Sequence, residues 1–301
     1  MTLIGKRRLS AATGQALARA GLDPEDVVRV IERGLAEDLG VIGDLTSVAT
    51  VAADAVMSAG YVAREAGTVA GLPVLAAVVE WATGTSVTLL VADGDRVQPG
   101  DVLAEVTAAA RTVLALERLS LNLLGHLSGI ATATRAWADA VAATPARIRD
   151  TRKTTPGLRD LEKYAVRCGG GVNHRRGLDD AVLIKDNHVA AAGGVGAALD
   201  RVQALYRGQN IVIQVEVDDE DQLEQALRHG AAQVLLDNFT VDELTRAVTR
   251  IRTHGSPVLV EASGGLTLDR AAQVAQTGVD FLAVGALTHS ARSLDIGLDA
   301  R

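Results

Sequence analysis

Cysteine occurs once in these 301 residues, at Cys168. One thiol excludes an internal disulfide framework and a cysteine-based zinc site, and it fits a reducing cytoplasm. Aromatic residues make up only 2% of the chain, and the net charge is −7. A nucleic-acid surface, which combines a basic excess with stacking side chains, is disfavoured on both counts. No apolar run is long enough to cross a bilayer without meeting a charge, so no membrane span is expected. The opening MTLIGKRRLSAATGQALARAG contains basic residues but no continuous apolar core, and does not read as a signal peptide. What is abundant is Ala, Val and Leu within a 48% hydrophobic chain, a composition suited to a buried parallel sheet covered by helices.

The basic residues are unevenly spread. Ten Arg and Lys fall between Arg147 and Lys185 against five acids. An acidic protein that gathers its cations in one segment is expected to hold an anion there, because a solvated helix face would mix the signs.

Residues 1–22 read as a loosely ordered extension. Asp23-Pro24-Glu25 then has the form of an N-cap followed by proline at the first helical position, and a helix is expected to about Leu39. Strands are expected over Val56–Arg64, Ser86–Val91 and Val102–Thr107, with a helix over Leu72–Trp81. The run DGDRVQPGDVLAEV resembles the turn-rich strands of lipoyl and biotinyl carrier domains. Carrier function needs a lysine in a tight hairpin, and none occurs between Lys6 and Lys153, so only the strand architecture is retained. A long helix is expected from Thr112, with Leu114, Leu121 and Leu124 towards the core. Arg118, Asn122 and His126 lie four apart on one of its faces, a spacing equally suited to a solvated stripe. Gly125 and Gly129 suggest either the close approach of another backbone or a break in the helix.

After Pro145, short apolar runs alternate with helical stretches at Arg147–Asp150, Val182–Lys185, Ile211–Val217, Gln233–Leu236, Val258–Glu261 and Phe281–Val284. Strand–helix alternation predicts parallel strands with right-handed crossovers. Six units are too few for a closed eight-stranded barrel, and a doubly wound open sheet is the generic alternative. The run endings favour a barrel, since each strand delivers a polar or glycine signature at its C-terminal end.

Two kinds of group end these strands. Arg152, Lys153, His174, Arg175 and Lys185 are cationic or can become so; Arg suits carboxylates and Lys suits phosphates. Glu216 and Asp237 are acidic, and such a pair beside many cations suggests Mg²⁺ shared with a phosphorylated ligand. Glu216 alone reads equally well as a salt-bridge partner. Two glycine loops, Ser263-Gly264-Gly265-Leu266-Thr267 and Val284-Gly285-Ala286-Leu287-Thr288-His289-Ser290, could turn backbone N–H groups towards an anion. Cys168 reads as a bystander and His174 as a ligand group between a glycine hinge and Arg175-Arg176.

The blocks EDLGVIGDLTS, REAGTVAGL, LERLSLNLLGHLSGIAT, RDTRKTTPGLRDLEKYAVRCGGGVNHRRGL, LIKDNH, VEVDD, LLDNF, EASGGL and DFLAVGALTHSARSLDIGLD resemble the quinolinate phosphoribosyltransferase family, from about Leu35 to Asp299. The resemblance implies an α/β fold: an N-terminal α/β sandwich over 23–128, joined by 290–301, followed by an open six- to seven-stranded α/β barrel over 129–289. It implies a cytoplasmic homodimer, with assembly beyond the dimer left open, in which Arg118 enters the partner's site supported by Glu117 and Asn122. It also implies that Arg152, His174, Arg175 and Lys185 hold quinolinate. Lys153, Glu216, Asp237, Ser263, Gly264, Gly265, Gly285 and His289 would hold phosphoribosyl pyrophosphate, with Glu216 and Asp237 on Mg²⁺. Lys153, Lys185, Glu216 and Asp237 are the implied catalytic residues. The implied reaction joins the pyridine nitrogen to ribose C1, expels pyrophosphate and loses the 2-carboxylate as CO₂, giving nicotinate mononucleotide for NAD biosynthesis.

Three other readings remain. A sibling nicotinate transferase would need fewer cations. A class I aldolase could use Lys185 as its Schiff-base lysine. A non-catalytic binding protein would not need so many different groups at the strand ends.

Overall fold

The computed structural model describes residues 8–255 and 257–301. In chain order the elements are α1 (Ala11–Arg19), α2 (Pro24–Leu39), α3 (Leu45–Thr50), β1 (Val56–Ala63), β2 (Gly67–Thr68), α4 (Leu72–Thr83), β3 (Thr88–Leu89), β4 (Arg96–Val97), β5 (Val102–Ala109) and α5 (Ala110–Val141). There follow β6 (Arg147–Arg149), α6 (Arg159–Cys168), β7 (Ala181–Ile184), α7 (Asp186–Ala192), α8 (Val195–Leu205), β8 (Val212–Val217), α9 (Glu220–Arg228) and β9 (Gln233–Asp237). The last are α10 (Val241–Thr253), β10 (Leu259–Ser263), α11 (Ala271–Gln276), β11 (Phe281–Ala283), α12 (Ala286–His289) and β12 (Ile296–Ala300).

The chain divides into two compact units. The first comprises the chain up to Arg135, Thr154–Gly170 and Thr288–Arg301; the second comprises Ala136–Lys153 and Gly171–Leu287. The division falls within α5, which runs without interruption by proline.

The first unit is built on an antiparallel sheet ordered β12-β1-β5-β3. Its core gathers Tyr61, Leu72, Leu75, Val79, Leu103, Leu124 and Leu294. Strand β3 covers only Thr88–Leu89, not the expected Ser86–Val91, and both of its residues are exposed, so no apolar face holds a longer strand to the sheet. The expected extension also differs over its described part; residues 1–7 of it lie outside the described residues. Ser10 caps α1 by accepting the Thr13 N–H, Leu17 is fully buried, and the Ser10 N–H donates to Glu80 Oε1 of α4 at 2.6 Å. A good cap and one buried leucine dock α1 where composition alone suggested an extended lead-in. Gly125 and Gly129 are sites of close backbone approach and not of a break. A Cβ at Gly125 would come within 2.9 Å of the Leu294 carbonyl oxygen, and one at Gly129 within 2.9 Å of Ser293 Cα.

The second unit carries a six-stranded, all-parallel sheet ordered β6-β11-β10-β9-β8-β7. Strands β6 and β7 are its two ends, which makes it the barrel-like, unclosed arrangement anticipated from six strand–helix units. A one-residue parallel bridge, Arg149 to Val172, lies outside the named strands beside β6. Strand β9 is apolar on both faces at Val234, Leu235 and Leu236, because helices cover a parallel sheet. Side-chain caps start two of the returns: Asp219 accepts the Gln222 N–H at α9, and Thr240 forms a reciprocal capping box with Glu243 at α10. Strand ends and helix starts are thus packed into short loops on one rim.

Candidate active site

Six strand ends and the 172–175 segment surround a cavity of about 380 Å³ in the second unit. Thr151, Arg152 and Lys153 follow β6; Lys185 follows β7; Glu216, Asp237, Glu261 and Ser263 come from β8, β9 and β10; His174 and Arg175 complete the wall. Eight of the residues anticipated from sequence, namely Arg152, Lys153, His174, Arg175, Lys185, Glu216, Asp237 and Ser263, line this one space.

The cationic side brings like charges close together. Arg175 anchors one guanidinium nitrogen on the Ala181 carbonyl at 3.1 Å, while its buried Nε has no hydrogen-bond partner. Burial pushes the Arg175 guanidinium below its ordinary range, neighbouring Arg152 pushes it the same way, and Asp180 opposes them. An anion between the two arginines would relieve both desolvation and repulsion. Lys185 Nζ donates to Glu216 Oε2 at 2.6 Å, so the salt-bridge reading of Glu216 describes the structure as it stands.

The acidic side is a cluster. Carboxylate oxygens of Glu216, Asp218 and Asp237 lie within 4.8 Å of one another. Glu216 is buried, and Asp237 Oδ2 accepts from Asn238 Nδ2 at 2.6 Å. Hard oxygen donors at this spacing fit Mg²⁺, and three carboxylates leave positions for water or phosphate oxygens. Asp218 was not anticipated, because the sequence reading stopped at the last strand acid and Asp218 lies one residue beyond β8. Asn238 holds the turn in a left-handed conformation, φ 58°, and its N–H donates to the Ser263 carbonyl at 2.9 Å. Gly264, φ +83°, lies against it: a Cβ there would come within 2.9 Å of Asn238 N.

The glycine loops differ in form from the sequence picture. Gly264, Gly265 and Gly285 are not among the lining residues of the cavity. The first loop enters a short 3₁₀ turn, Leu268–Arg270, and α12 after the second has only four residues, so neither presents a long helix dipole. His289 lies in the first unit, with its Nδ1 2.6 Å from Ser290 Oγ.

Arg118 belongs to a different cavity. With Asn122 and the segment Arg292–Ile296 it lines a space of about 420 Å³ within the first unit. His126, the third member of the stripe, is committed elsewhere: its Nε2 lies 2.9 Å from Glu162 Oε1, and the fully buried Glu162 also accepts the Thr155 N–H at 3.1 Å. The ten-cation segment likewise divides by task. Arg149 pairs with Glu261 at 2.6 Å, Arg159 donates to Thr154 and Arg167 to the Ala20 carbonyl, while Arg152, Lys153, Arg175 and Lys185 face the cavity. Cys168 ends α6. Burial, and then the Asp93 carboxylate, push its thiol up to about 11, which fits an unreactive side chain.

Comparison with known proteins bears on most of the chain. Residues 44–128 match the quinolinate phosphoribosyl transferase N-terminal domain family and residues 130–299 its C-terminal domain family. The chain is 53% identical over 272 residues to the nicotinate-nucleotide pyrophosphorylase (carboxylating) of Mycobacterium leprae, covering 89% of this chain and 95% of the relative. It is 38% identical over 288 residues to the chloroplastic nicotinate-nucleotide pyrophosphorylase (carboxylating) of Arabidopsis thaliana, covering 91% of this chain and 82% of the relative. Among solved structures, the nicotinate-nucleotide pyrophosphorylase from Francisella tularensis superposes with a TM-score of 0.87 at 36% identity, covering 93% of this chain and 98% of that one. No helix among the described residues is long and apolar enough to cross a membrane.

Proposed function

The chain belongs to the quinolinate phosphoribosyltransferase family, and from that premise we propose how its cavity carries out the family's reaction. The protein is a decarboxylating phosphoribosyltransferase of NAD biosynthesis. It joins the nitrogen of quinolinate to C1 of 5-phosphoribosyl 1-pyrophosphate and releases nicotinate mononucleotide, pyrophosphate and CO₂. The observation that carries the assignment of roles is the convergence of Arg152, Arg175, His174 and Lys185 on one cavity, where Arg152 and Arg175 lie close enough to repel one another. Two carboxylates match that many cationic groups better than the single carboxylate of nicotinate.

Arg152, Arg175, His174 and Lys185 bind and orient the pyridine diacid, so that its nitrogen faces the ribose. Lys153 takes the departing pyrophosphate as a point charge. Glu216 and Asp237, with Asp218 beside them, would hold Mg²⁺, whose chemistry when bound is to neutralise phosphate oxygens. The cation that develops at C1 is oxocarbenium-like, and a nearby carboxylate would stabilise it. When the 2-carboxylate leaves, its electron pair remains at C2 next to a pyridinium nitrogen, which stabilises it without a redox or pyridoxal cofactor. Ser263, Gly264, Gly265, Gly285 and His289 contact the phosphoribosyl part. The working form is a cytoplasmic homodimer in which Arg118 completes the partner's site, supported by Asn122 from the same cavity wall. A site closed in this way excludes water and strengthens each charge interaction.

The test is an assay of CO₂ and nicotinate mononucleotide release from quinolinate, phosphoribosyl pyrophosphate and Mg²⁺. Nicotinate serves as the control acceptor. Turnover of nicotinate in place of quinolinate would assign the cavity to the sibling chemistry.

A further inference from the structure

Behind the cations lies a buried polar network for which the chemistry above has no use. Val172 is laid beside β6, its N–H donating to the Ile148 carbonyl at 2.8 Å and its carbonyl accepting the Asp150 N–H at 3.1 Å. That rung carries Asn173 and His174 to the cavity. Asp150, with no exposed surface, locks the rung in place: one carboxylate oxygen accepts from Asn173 Nδ2 at 2.6 Å and the other from the His174 N–H at 2.7 Å.

The ring of His174 is then constrained from both edges. Its Nδ1 accepts the Arg175 backbone N–H at 2.6 Å. A nitrogen that accepts a backbone N–H carries no proton, so a neutral ring has its proton on Nε2. Nε2 in turn lies 3.6 Å from Glu261 Oε1, with 11% of the His174 side chain and 1% of the Glu261 side chain exposed. The other oxygen of Glu261 takes Arg149 Nη1 at 2.6 Å, and that guanidinium lies 4.0 Å over the Phe281 ring. Glu261 is therefore held from behind by Arg149 and presents Oε1, which has no hydrogen-bond partner, towards the proton-bearing edge of His174.

We propose that Glu261 is a positioning residue. With Asp150 and the Arg175 amide it keeps His174 in the cavity wall as the neutral, Nε2-protonated ring, its one N–H turned towards Glu261, so that His174 meets its ligand as a fixed, uncharged ring and not as a cation. Burial pushes the Glu261 carboxyl above its ordinary range while Arg149, and then Gln214, pull it back. The orientation of the ring is set by what its two nitrogens face. The division of labour follows: Arg152, Arg175 and Lys185 supply charge, and His174 supplies a fixed, uncharged wall. This rests on the reading that the cavity takes the pyridine diacid, but the tautomer itself does not.

The experiment has two independent parts. Nitrogen-15 spectra of the histidine-labelled, ligand-free protein at neutral pH, with the His174 signals assigned by their loss in His174→Gln, report the tautomer directly. An Nε2-protonated neutral ring is expected; an Nδ1-protonated ring or an imidazolium would overturn the proposal whatever the enzyme turns over. The second part is Glu261→Gln, which keeps the shape but can turn an amide N–H against the Nε2 proton. It should raise the KM for quinolinate about tenfold or more, the usual scale for losing a partner that orients a histidine ligand. The KM for phosphoribosyl pyrophosphate should stay within about twofold, while the melting temperature should fall because Arg149 loses its buried anionic partner. Glu261→Gln with an unchanged quinolinate KM, or with both KM values rising together, would assign Glu261 a purely structural role. Absence of quinolinate turnover in the wild type would refute the function and leave the spectra to decide the tautomer.

Discussion

Gly129→Ala and Gly14→Ala make the same chemical change in two helices and should move stability in opposite directions. In an open helix the exchange favours folding by about 0.5–1 kcal/mol, because alanine loses less backbone entropy. Gly14, within α1, has nothing within 4 Å of where its Cβ would be, so it should show that gain. Gly129, within α5, has backbone there: the added methyl would overlap the Arg292 carbonyl oxygen and come within 2.9 Å of Arg292 C and Ser293 Cα. Main-chain atoms cannot rotate away as a side chain can, so the clash belongs towards the upper part of the about 1–3 kcal/mol range for overpacking. Subtracting the helix gain leaves a net loss of about 1–2 kcal/mol. At about 2–4 °C per kcal/mol for domains of this size, the melting temperature should fall by ~2–8 °C in Gly129→Ala and rise by ~1–4 °C in Gly14→Ala. Differential scanning calorimetry of both variants beside the wild type measures this. Because Arg292–Ile296 walls the cavity that Arg118 lines, Gly129→Ala should also lose activity at temperatures where it is fully folded. A Gly129→Ala protein as stable as wild type, or two variants shifting together, would refute the reasoning from backbone contact.

The remaining predictions concern the site. Arg152→Ala or Arg175→Ala should weaken quinolinate binding by about 2–5 kcal/mol, the cost of leaving a buried charge unpaired, with far less effect on phosphoribosyl pyrophosphate; calorimetric titration that finds equal losses would count against the assignment. Removal of Mg²⁺ should abolish transfer, and Asp237→Ala should raise the Mg²⁺ concentration needed for half-maximal rate; full activity in excess chelator would sink the metal role of the Glu216, Asp218 and Asp237 cluster. Arg118→Ala and Lys153→Ala should each be nearly inactive alone and recover roughly a quarter of wild-type activity when mixed and re-dimerised, since half the dimers then hold one intact site of two. Heterodimers verified by native mass spectrometry that stay inactive would mean that Arg118 does not act in trans.

Legibility in the sequence followed how local each signal was. Strands β8, β9 and β10 announce themselves as apolar runs ending in acid or glycine, and the parallel sheet follows from their alternation with helices. Strand β3 was overread because apolar residues at 87, 89, 90 and 91 look like a strand even where two of them, Leu89 and Leu90, remain exposed. Helix α6 buries Glu162 and Lys163, against the usual preference, so its burial pattern could not be read from residue type. In the site, residues at strand ends could be found because the fold type places function there. The Asp150, Glu261 and Arg149 network could not, because its meaning depends on which side chain meets which across strands far apart in sequence. The excess of cations pointed to a segment that lines the cavity only in part, since several of those arginines fasten carbonyls or buried acids.

The antiparallel pairing of β1 with β12 has a consequence for biosynthesis. Ala59 hydrogen-bonds alongside Val106 on one side and Ala300 on the other. Ribosomes extend chains at about 5–20 residues per second, so roughly 10–50 s separate the emergence of β1 from that of β12. Through that interval a nascent edge with Tyr61 and Val62 behind it stands open to any other extended chain, the situation in which strands pair wrongly. The N-terminal unit is thus first in the message yet last to be finished. A premature stop that spared every residue of the catalytic cavity would still leave this sheet without its closing strand.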